Sequence, residues 1–187
     1  MISYYNSADK LASYRLGLDL AKHLVSDLKK DNELIILCIG SDRSTGDCLG
    51  PLIGHKLSMC NLSGADIYGT LQNPVHAANI QNTIDAIYDK YDNPYILAID
   101  ASLGVRKHVG YYTLGDGPLI PGLGVNRTLP AVGDLHITGI VNYSGLFDEM
   151  LLQTTRLSFV MEIADNITSG INMAMARYNH IKCKTYA

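Results

Sequence analysis

Apolar positions along the chain follow two spacings, one typical of helices and one typical of buried strands. Residues 34–39 and 95–99 are short, uninterrupted apolar runs, and such runs predict strands buried on both faces. Further strands are expected at 65–68, 111–114 (as an edge strand) and 135–141. Helical spacing predicts helices from about Ser7 to about Lys30, at 52–60, at 75–91, around 146–152 and in a last segment to about Asn179. Residues 157–163 fit either a strand or the start of that last helix, and helices alternating with strands predict an α/β sheet covered on both faces.

Two predicted strands lead to an acidic residue. A polar loop follows the first strand and carries Asp47 just before a helix, and Asp100 follows the second strand. The carboxyl ends of parallel strands share the sheet edge at which ligands bind. Two carboxylates held close together do not both ionise easily, so the pair offers an acid and a base for hydrolysis by an activated water. The local alternative is that Asp47 caps the helix and Asp100 begins a turn.

His136 begins another predicted strand and is a candidate proton carrier, metal ligand or plain structural histidine. With Asp47 and Asp100 it would complete a set of two carboxylates and one imidazole, which suits a divalent transition metal. We expect no tightly bound structural metal, because no Cys/His spacing supports one, and no cofactor. Cys48 beside Asp47 raises the alternative of a cysteine nucleophile with His136 as its base.

Composition narrows the class of protein. A length of 187 residues with 47% hydrophobic positions predicts one globular domain, 1–187. The formal net charge of −3 argues against a nucleic-acid surface, and no apolar run is long enough for a membrane span. The sequence begins without a secretory signal pattern, and its four cysteines show no paired spacing, so a reduced, cytoplasmic protein is expected. A glycine-rich segment, 104–133, predicts a long loop beside the functional site.

Three motifs carry a resemblance to a known family. CIGSDRSTGDCLGPLIG, ILAIDASLG and VGDLHITGIVNYSG resemble the YyaC family of sporulation proteins (spore protease YyaC), from Glu33 to the last helix. That family is similar to the germination protease that degrades small acid-soluble spore proteins, and more distantly to hydrogenase maturation endopeptidases. The stretches around Asp47 and Asp100 resemble the places of the two essential aspartates of germination protease. The resemblance implies a three-layer α/β/α sandwich with a mostly parallel mixed sheet, of the hydrogenase-maturation-protease type.

The resemblance also implies a function. It predicts a sporulation-associated endopeptidase in which Asp47 and Asp100 are catalytic, acting on a protein or peptide substrate such as a small acid-soluble spore protein. We expect His136, Ser41 and Thr45 to contact that substrate. The loop departs from its relatives at Ser41-Asp42-Arg43, which bears on substrate preference. Two alternatives remain: a sporulation binding protein that keeps the cleft without activity, and a metal-dependent peptidase that uses Asp47, Asp100 and His136.

Overall fold

The protein is organised around one six-stranded sheet with the strand order β1-β5-β6-β4-β2-β3. The computed structural model describes residues 1–29, 31–60, 62–121 and 129–185. In chain order the elements are β1 (Ile2–Asn6), α1 (Ala12–Asp27), β2 (Glu33–Cys38), α2 (Leu49–Met59), β3 (Asp66–Tyr68), α3 (Ile80–Lys90), β4 (Pro94–Gly104), a 3₁₀ turn (Arg106–His108), β5 (Tyr111–Asp116), β6 (Leu135–Tyr143), α4 (Asp148–Gln153) and α5 (Leu157–Thr185).

Parallel pairing forms the middle of the sheet. Strand β2 lies parallel to β3 and β4, and β4 lies parallel to β6, whereas β5 runs antiparallel to β6 and β1. One apolar cluster packs under α1, α2 and α5, and a second packs under α3. Because side chains of β2 and β4 are buried in both clusters, these strands read as continuous apolar runs in the sequence. The predicted three-layer α/β/α sandwich with a mostly parallel mixed sheet is confirmed.

Strand β4 is longer than predicted, and this changes the setting of Asp100. The apolar run suggested a strand that ends at Ile99, but β4 continues to Gly104. It continues because β6 pairs with it as far as Gly104, with an irregularity in register between Ser102 and Leu103. Asp100 therefore lies inside a paired strand, opposite Thr138, and not in a turn after the strand.

The antiparallel side of the sheet was predicted only in part. Strand β5 was expected at the edge, but it lies between β6 and β1. The edge strand is β1, whose five residues carry too little apolar pattern to be recognised before their pairing with β5 is known. Because the chain is still extended through Asn6, helix α1 begins at Ala12 and not after Ser7. Lys30, its predicted end, lies outside the described residues.

The remaining helices follow their predicted spacing with shifted limits. Residues 157–163, left open as strand or helix, form the first turns of α5, which runs past Asn179 to Thr185. Helix α3 begins at Ile80 because Val75 instead forms an isolated bridge with Ile39. None of the helices in the described ranges combines the length and the apolar character that crossing a bilayer requires.

The predicted glycine-rich loop contains ordered structure. Its first part holds the end of β4, the 3₁₀ turn and β5, and an isolated bridge between Leu119 and Val132 closes its base. Residues 122–128, including Gly122 and Gly124, lie outside the described residues. The described part therefore contributes a strand to the sheet as well as a connection at its surface.

Substitution of Gly50 by alanine is expected to destabilise the protein. A Cβ at Gly50, in the first turn of α2, would lie 2.0 Å from the carbonyl oxygen of Ile39, a backbone atom that has little room to move. We expect Gly50→Ala to lower the free energy of unfolding by about 3 kcal/mol, measured by urea denaturation. Gly145→Ala is the matched control, since a Cβ there has its nearest neighbours at 4.0 Å. Equal stability of the two variants would contradict the close contact between α2 and the end of β2.

Candidate functional site

Three segments of the chain meet where β2 ends. The N–H of Ile39 donates to the carbonyl of Ile99 in β4 at 2.7 Å, and the N–H of Gly40 donates to the carbonyl of Val75 at 2.7 Å. The segment before α3 is thus held on one side of residues 39–40, and β4 is held on the other. This junction lies at the carboxyl edge of the parallel strands, where open α/β sheets bind ligands.

The loop that carries Asp47 folds back onto this junction. The N–H of Ser41 donates to the backbone carbonyl of Asp47 at 3.2 Å. Gly40 has a φ of 142°, and a Cβ there would lie 2.0 Å from the same carbonyl oxygen. Only glycine fits so close to the returning chain. The backbone of Asp47 is therefore fixed against the end of β2.

The carboxyl group of Asp47 is in a partly buried environment. Burial raises the pKa of Asp47 above its ordinary value, while the backbone N–H of Ser41 and the positive charge of His76 act in the opposite direction. A carboxyl group with a raised pKa is a better proton acceptor than an exposed one once it is ionised. This environment suits an acid–base role at the sheet edge.

Asp100 approaches the junction from β4. Since Cys38 and Ile99 are partners in register, Asp100 lies next to Ile39. Ile96 and Ala98 belong to the cluster under α3, so alternation along the strand directs the Asp100 side chain to that side of the sheet. It is only 5% exposed, and one carboxylate oxygen accepts the N–H of Ala101 at 2.8 Å. Asp47 and Asp100 are therefore brought to the same sheet edge, around residues 39–40.

His136 lies on β6, the strand that pairs with β4. In β6 it lies opposite Ala98, and on the other side it lies opposite Gly115 of β5. Its Nδ1 is 2.9 Å from the carbonyl oxygen of Gly117, so Nδ1 carries the proton of the neutral ring. A Cβ on Gly115 would lie 2.5 Å from Nε2, which places the ring over β5.

The three residues considered for a metal do not assemble into a ligand set. Within the part of the chain that the structure describes, no group of three or more His, Cys, Asp or Glu side chains could hold a metal ion. The ring of His136 is held over β5, near Gly115 and the carbonyl of Gly117, whereas Asp47 and Asp100 have their backbone beside Gly40 and Ile39.

Ser41 and Thr45 both lie in the Asp47 loop, where they support its shape. The hydroxyl of Ser41 accepts the N–H of Arg43 at 3.2 Å. The carbonyl of Thr45 accepts the Cys48 thiol, whose sulfur is 2.9 Å away. Both residues are partly exposed, so they remain within reach of a molecule bound at this edge.

His76 was missed because the sequence placed it inside a helix predicted for 75–91. It directly follows Val75, which is bonded to Gly40, so it stands at the junction itself. Pro74 and Asn79 are the two residues in the sequence that could have indicated a loop at His76 and a later start of the helix. Asn79 accepts the backbone N–H of His76 at 2.8 Å and so ends the loop where the helix begins.

The Cys48 thiol is unsuited to nucleophilic attack. Burial, and then the negative charge of Asp47, raise its pKa to about 11. A thiol of this kind is almost entirely protonated at neutral pH, and the thiolate is the reactive form. Cys48 belongs to the apolar cluster under α1, α2 and α5, which indicates a packing role.

Fold and site together define an α/β protein with two aspartates at the carboxyl edge of a parallel sheet. The chain belongs to the family described as "Protein of unknown function (DUF1256)", which matches residues 4–170. It is 49% identical over 170 residues to "Uncharacterized protein YyaC" of Bacillus subtilis (strain 168), covering 91% of this chain and 82% of that protein. The family predicted from the three motifs is therefore confirmed.

A solved structure also aligns with the chain. It is the crystal structure of a [NiFe] hydrogenase maturation protease, HycI, from Thermococcus kodakarensis KOD1. The two are 17% identical with a TM-score of 0.42, and the alignment covers 80% of this chain and 98% of that chain.

Thiol labelling tests the role assigned to Cys48. Cys60 and Cys183 are exposed, whereas Cys38 and Cys48 are buried. We expect Ellman's reagent to react quickly with two thiols of the native protein and with all four only after unfolding. Cys60→Ser should reduce the fast count to one. A third fast thiol that disappears in Cys48→Ala would contradict the packing role and favour a cysteine nucleophile.

Proposed function

We propose that the protein is a sporulation-associated endopeptidase that hydrolyses peptide bonds with the pair Asp47 and Asp100. The proposal is supported by the positions of the two residues: the backbone of Asp47 packs against Gly40 at the end of β2, and Asp100 lies next to Ile39 in the neighbouring strand β4. Two carboxyl groups at one site share a proton more readily than both ionise, so the pair provides a base and an acid together.

In the proposed reaction, one carboxyl group acts as the base and the other acts as the acid. The ionised carboxylate takes a proton from a water molecule as the water oxygen attacks the carbonyl carbon of the peptide. The protonated carboxyl donates its proton to the leaving nitrogen as the C–N bond breaks. The raised pKa of Asp47, caused by burial, suits it to the role of base. Asp100, almost sealed from solvent, is assigned the role of acid.

An apolar surface next to the loop supports a polypeptide substrate. Leu146, Phe147 and Met150 are all more than half exposed, at the start of α4. The end of α4 is bonded to the catalytic loop, since the N–H of Gly46 donates to the carbonyl of Leu152 at 2.8 Å. Exposed apolar patches commonly mark binding surfaces for other proteins. An extended substrate that crosses the loop would contact these three side chains.

The sporulation setting and the substrate come from the family resemblance. The motifs around Asp47 and Asp100 resemble those of germination protease, which degrades small acid-soluble spore proteins. A small acid-soluble spore protein is therefore the first substrate to test. The Ser41-Asp42-Arg43 departure in the loop is the place at which a different preference would arise.

Replacement of either aspartate is expected to abolish hydrolysis. Asn is nearly isosteric with Asp but neither accepts the water proton nor donates one as an acid. We expect Asp47→Asn and Asp100→Asn each to lower kcat/KM at least about 100-fold, and the double variant to be little worse than either one. Cleavage of a small acid-soluble spore protein, followed by mass spectrometry, measures this. Cys48→Ala is the control and should keep most of the activity, and circular dichroism checks the fold of each variant.

The same assay separates the alternatives. Activity that survives in Asp100→Asn would overturn the aspartate pair. Binding of the spore protein without turnover in the wild type would identify a binding protein. Loss of activity on chelation, restored by a divalent metal, would replace the acid–base pair by a metal-dependent peptidase.

The apolar surface at α4 gives a further test. Phe147→Ser and Leu146→Ser remove exposed apolar area without touching the aspartates. We expect KM for a protein substrate to rise several-fold while kcat is unchanged, because the lost contacts act on binding and not on the chemical step. Leu157→Ser is the matched control, because Leu157 is another exposed leucine (51%) but lies at the start of α5 and not at α4. An equal rise in KM for the control would show that general surface polarity, and not this patch, affects binding.

A further inference from the structure

Strand β1 forms one end of the sheet, and its outer side is an open edge. Among the residues that the structure describes, β1 pairs with β5 alone and no strand lies beyond it. Two backbone bonds show which residues face β5. The N–H of Ser7 donates to the carbonyl of Gly110 at 3.0 Å, and the carbonyl of Met1 accepts the N–H of Asp116 at 3.4 Å. Because successive residues of an antiparallel strand face its partner alternately, the odd-numbered residues of β1 are bonded to β5.

The even-numbered residues of β1 direct their backbone groups away from the sheet. These residues are Ile2, Tyr4 and Asn6. The carbonyl of Asn6 accepts the N–H of Asp9 at 2.9 Å, so one of its two lone pairs is already used. A row of outward N–H and C=O groups at every second residue is complementary to another extended chain. The open edge therefore fits a strand as its partner.

Strand β1 lacks the features that usually block an open edge. Proteins protect such edges with charged side chains, proline, bulges or very short strands. The other edge strand of this sheet, β3, has three residues and begins with Asp66. Strand β1 has the sequence ISYYN, without charge or proline, and its register with β5 is continuous. The side chains of Ile2 and Tyr4 are 54% and 52% exposed, so a second strand would also cover apolar surface.

The charges beside this edge are neutralised within the chain. A cavity of about 370 Å³ between β1 and α1 is lined by Ser3, Tyr4, Tyr5, Arg15, Leu18 and Asp19. Arg15 is paired with Asp9 at 2.9 Å, and Asp19 is paired with Lys22 at 2.8 Å. A two-fold axis repeats every charge with the same sign on both sides of an interface, so unpaired charges here would repel an identical chain. Because both charged residues of the cavity have partners, a second copy can approach this edge without that repulsion.

We propose that β1 is the interface of a homodimer, in which it pairs antiparallel with β1 of a second copy around a two-fold axis at Tyr4. This register places Tyr4 beside Tyr4 of the second copy and Ile2 beside Asn6 of the second copy. It uses the outward groups of all three residues, whereas a register centred on Ser3 leaves the N–H of Asn6 without a partner strand. The two six-stranded sheets then form one continuous sheet, and neither copy keeps an open β1 edge.

The dimer does not depend on the proposed function. Strands β5 and β6 lie between β1 and β4, the strand that carries Asp100. The interface therefore lies away from the edge residues around Asp47 and Asp100, and each copy keeps its own site.

Sedimentation velocity with charge-exchange variants tests the dimer. We expect the wild-type protein to sediment as a dimer that dissociates on dilution. Tyr4→Lys and Tyr4→Glu should each be monomeric, because the two-fold axis places two like charges directly opposite each other. An equimolar mixture of the two variants should recover the dimer, because Lys then stands opposite Glu. Tyr88→Lys and Tyr88→Glu are the matched controls and should stay dimeric, since Tyr88 is 58% exposed but lies on α3.

Hydrogen exchange separates loss of the interface from loss of the strand. In the wild-type dimer the N–H groups of Ile2 and Tyr4 should be protected, and in Tyr4→Lys those of residues 2 and 4 should exchange quickly. The N–H groups of Ser3 and Tyr5 face β5 and should stay protected in both proteins. A wild type that remains monomeric up to millimolar concentration overturns the inference. A dimer that survives both Tyr4 variants, or a mixture that stays monomeric, also overturns it.

Discussion

The close packing of backbone around residues 39–40 is the constraint on which the rest of the site depends. Gly40 admits the returning carbonyl of Asp47, and Gly50 admits the carbonyl of Ile39, at distances that leave no room for a Cβ. The two glycines thus allow the loop before α2 and the first turn of α2 to pack closely against the end of β2. The N–H groups of Ile39 and Gly40 then fasten β4 on one side and the segment before α3 on the other. Four parts of the chain converge there with little freedom to move apart.

This convergence gives the site its electrostatic character. Asp100 lies within a paired strand and Asp47 on a loop folded against the sheet, so both carboxyl groups are withdrawn from water. Withdrawal from water disfavours the charged form, and the N–H of Ser41 and the charge of His76 partly restore it for Asp47. The same burial makes Cys48 inert by raising its pKa. Burial at the carboxyl edge therefore affects the two kinds of group differently. It moves the pKa of the Asp47 carboxyl group upward, whereas it leaves the Cys48 thiol protonated and unreactive.

The local pattern of apolar residues was sufficient to predict a strand or helix whose own side chains are buried in the core. The runs 34–39 and 95–99 identified β2 and the first half of β4, and helical spacing identified α1, α3 and α5. The local pattern was insufficient to predict strands whose existence, length or position depends on the strands that pair with them. Strand β1, the extension of β4 to Gly104 and the inner position of β5 all follow from long-range pairing. The start of α3 was misplaced for the same reason, because Val75 pairs with Ile39.

By itself the sequence determined the α/β class, the family, and Asp47 and Asp100 as the leading acidic residues, because these follow from apolar spacing and from contiguous motifs. Only the tertiary structure decided which other groups stand beside them. His136 lies within one of the three motifs, yet its ring is bound over β5. His76 lies in no motif that was singled out, yet a hydrogen bond between Gly40 and Val75 brings it to the junction. Distance along the chain does not specify neighbours in space, since those are fixed by sheet order and by close backbone contacts.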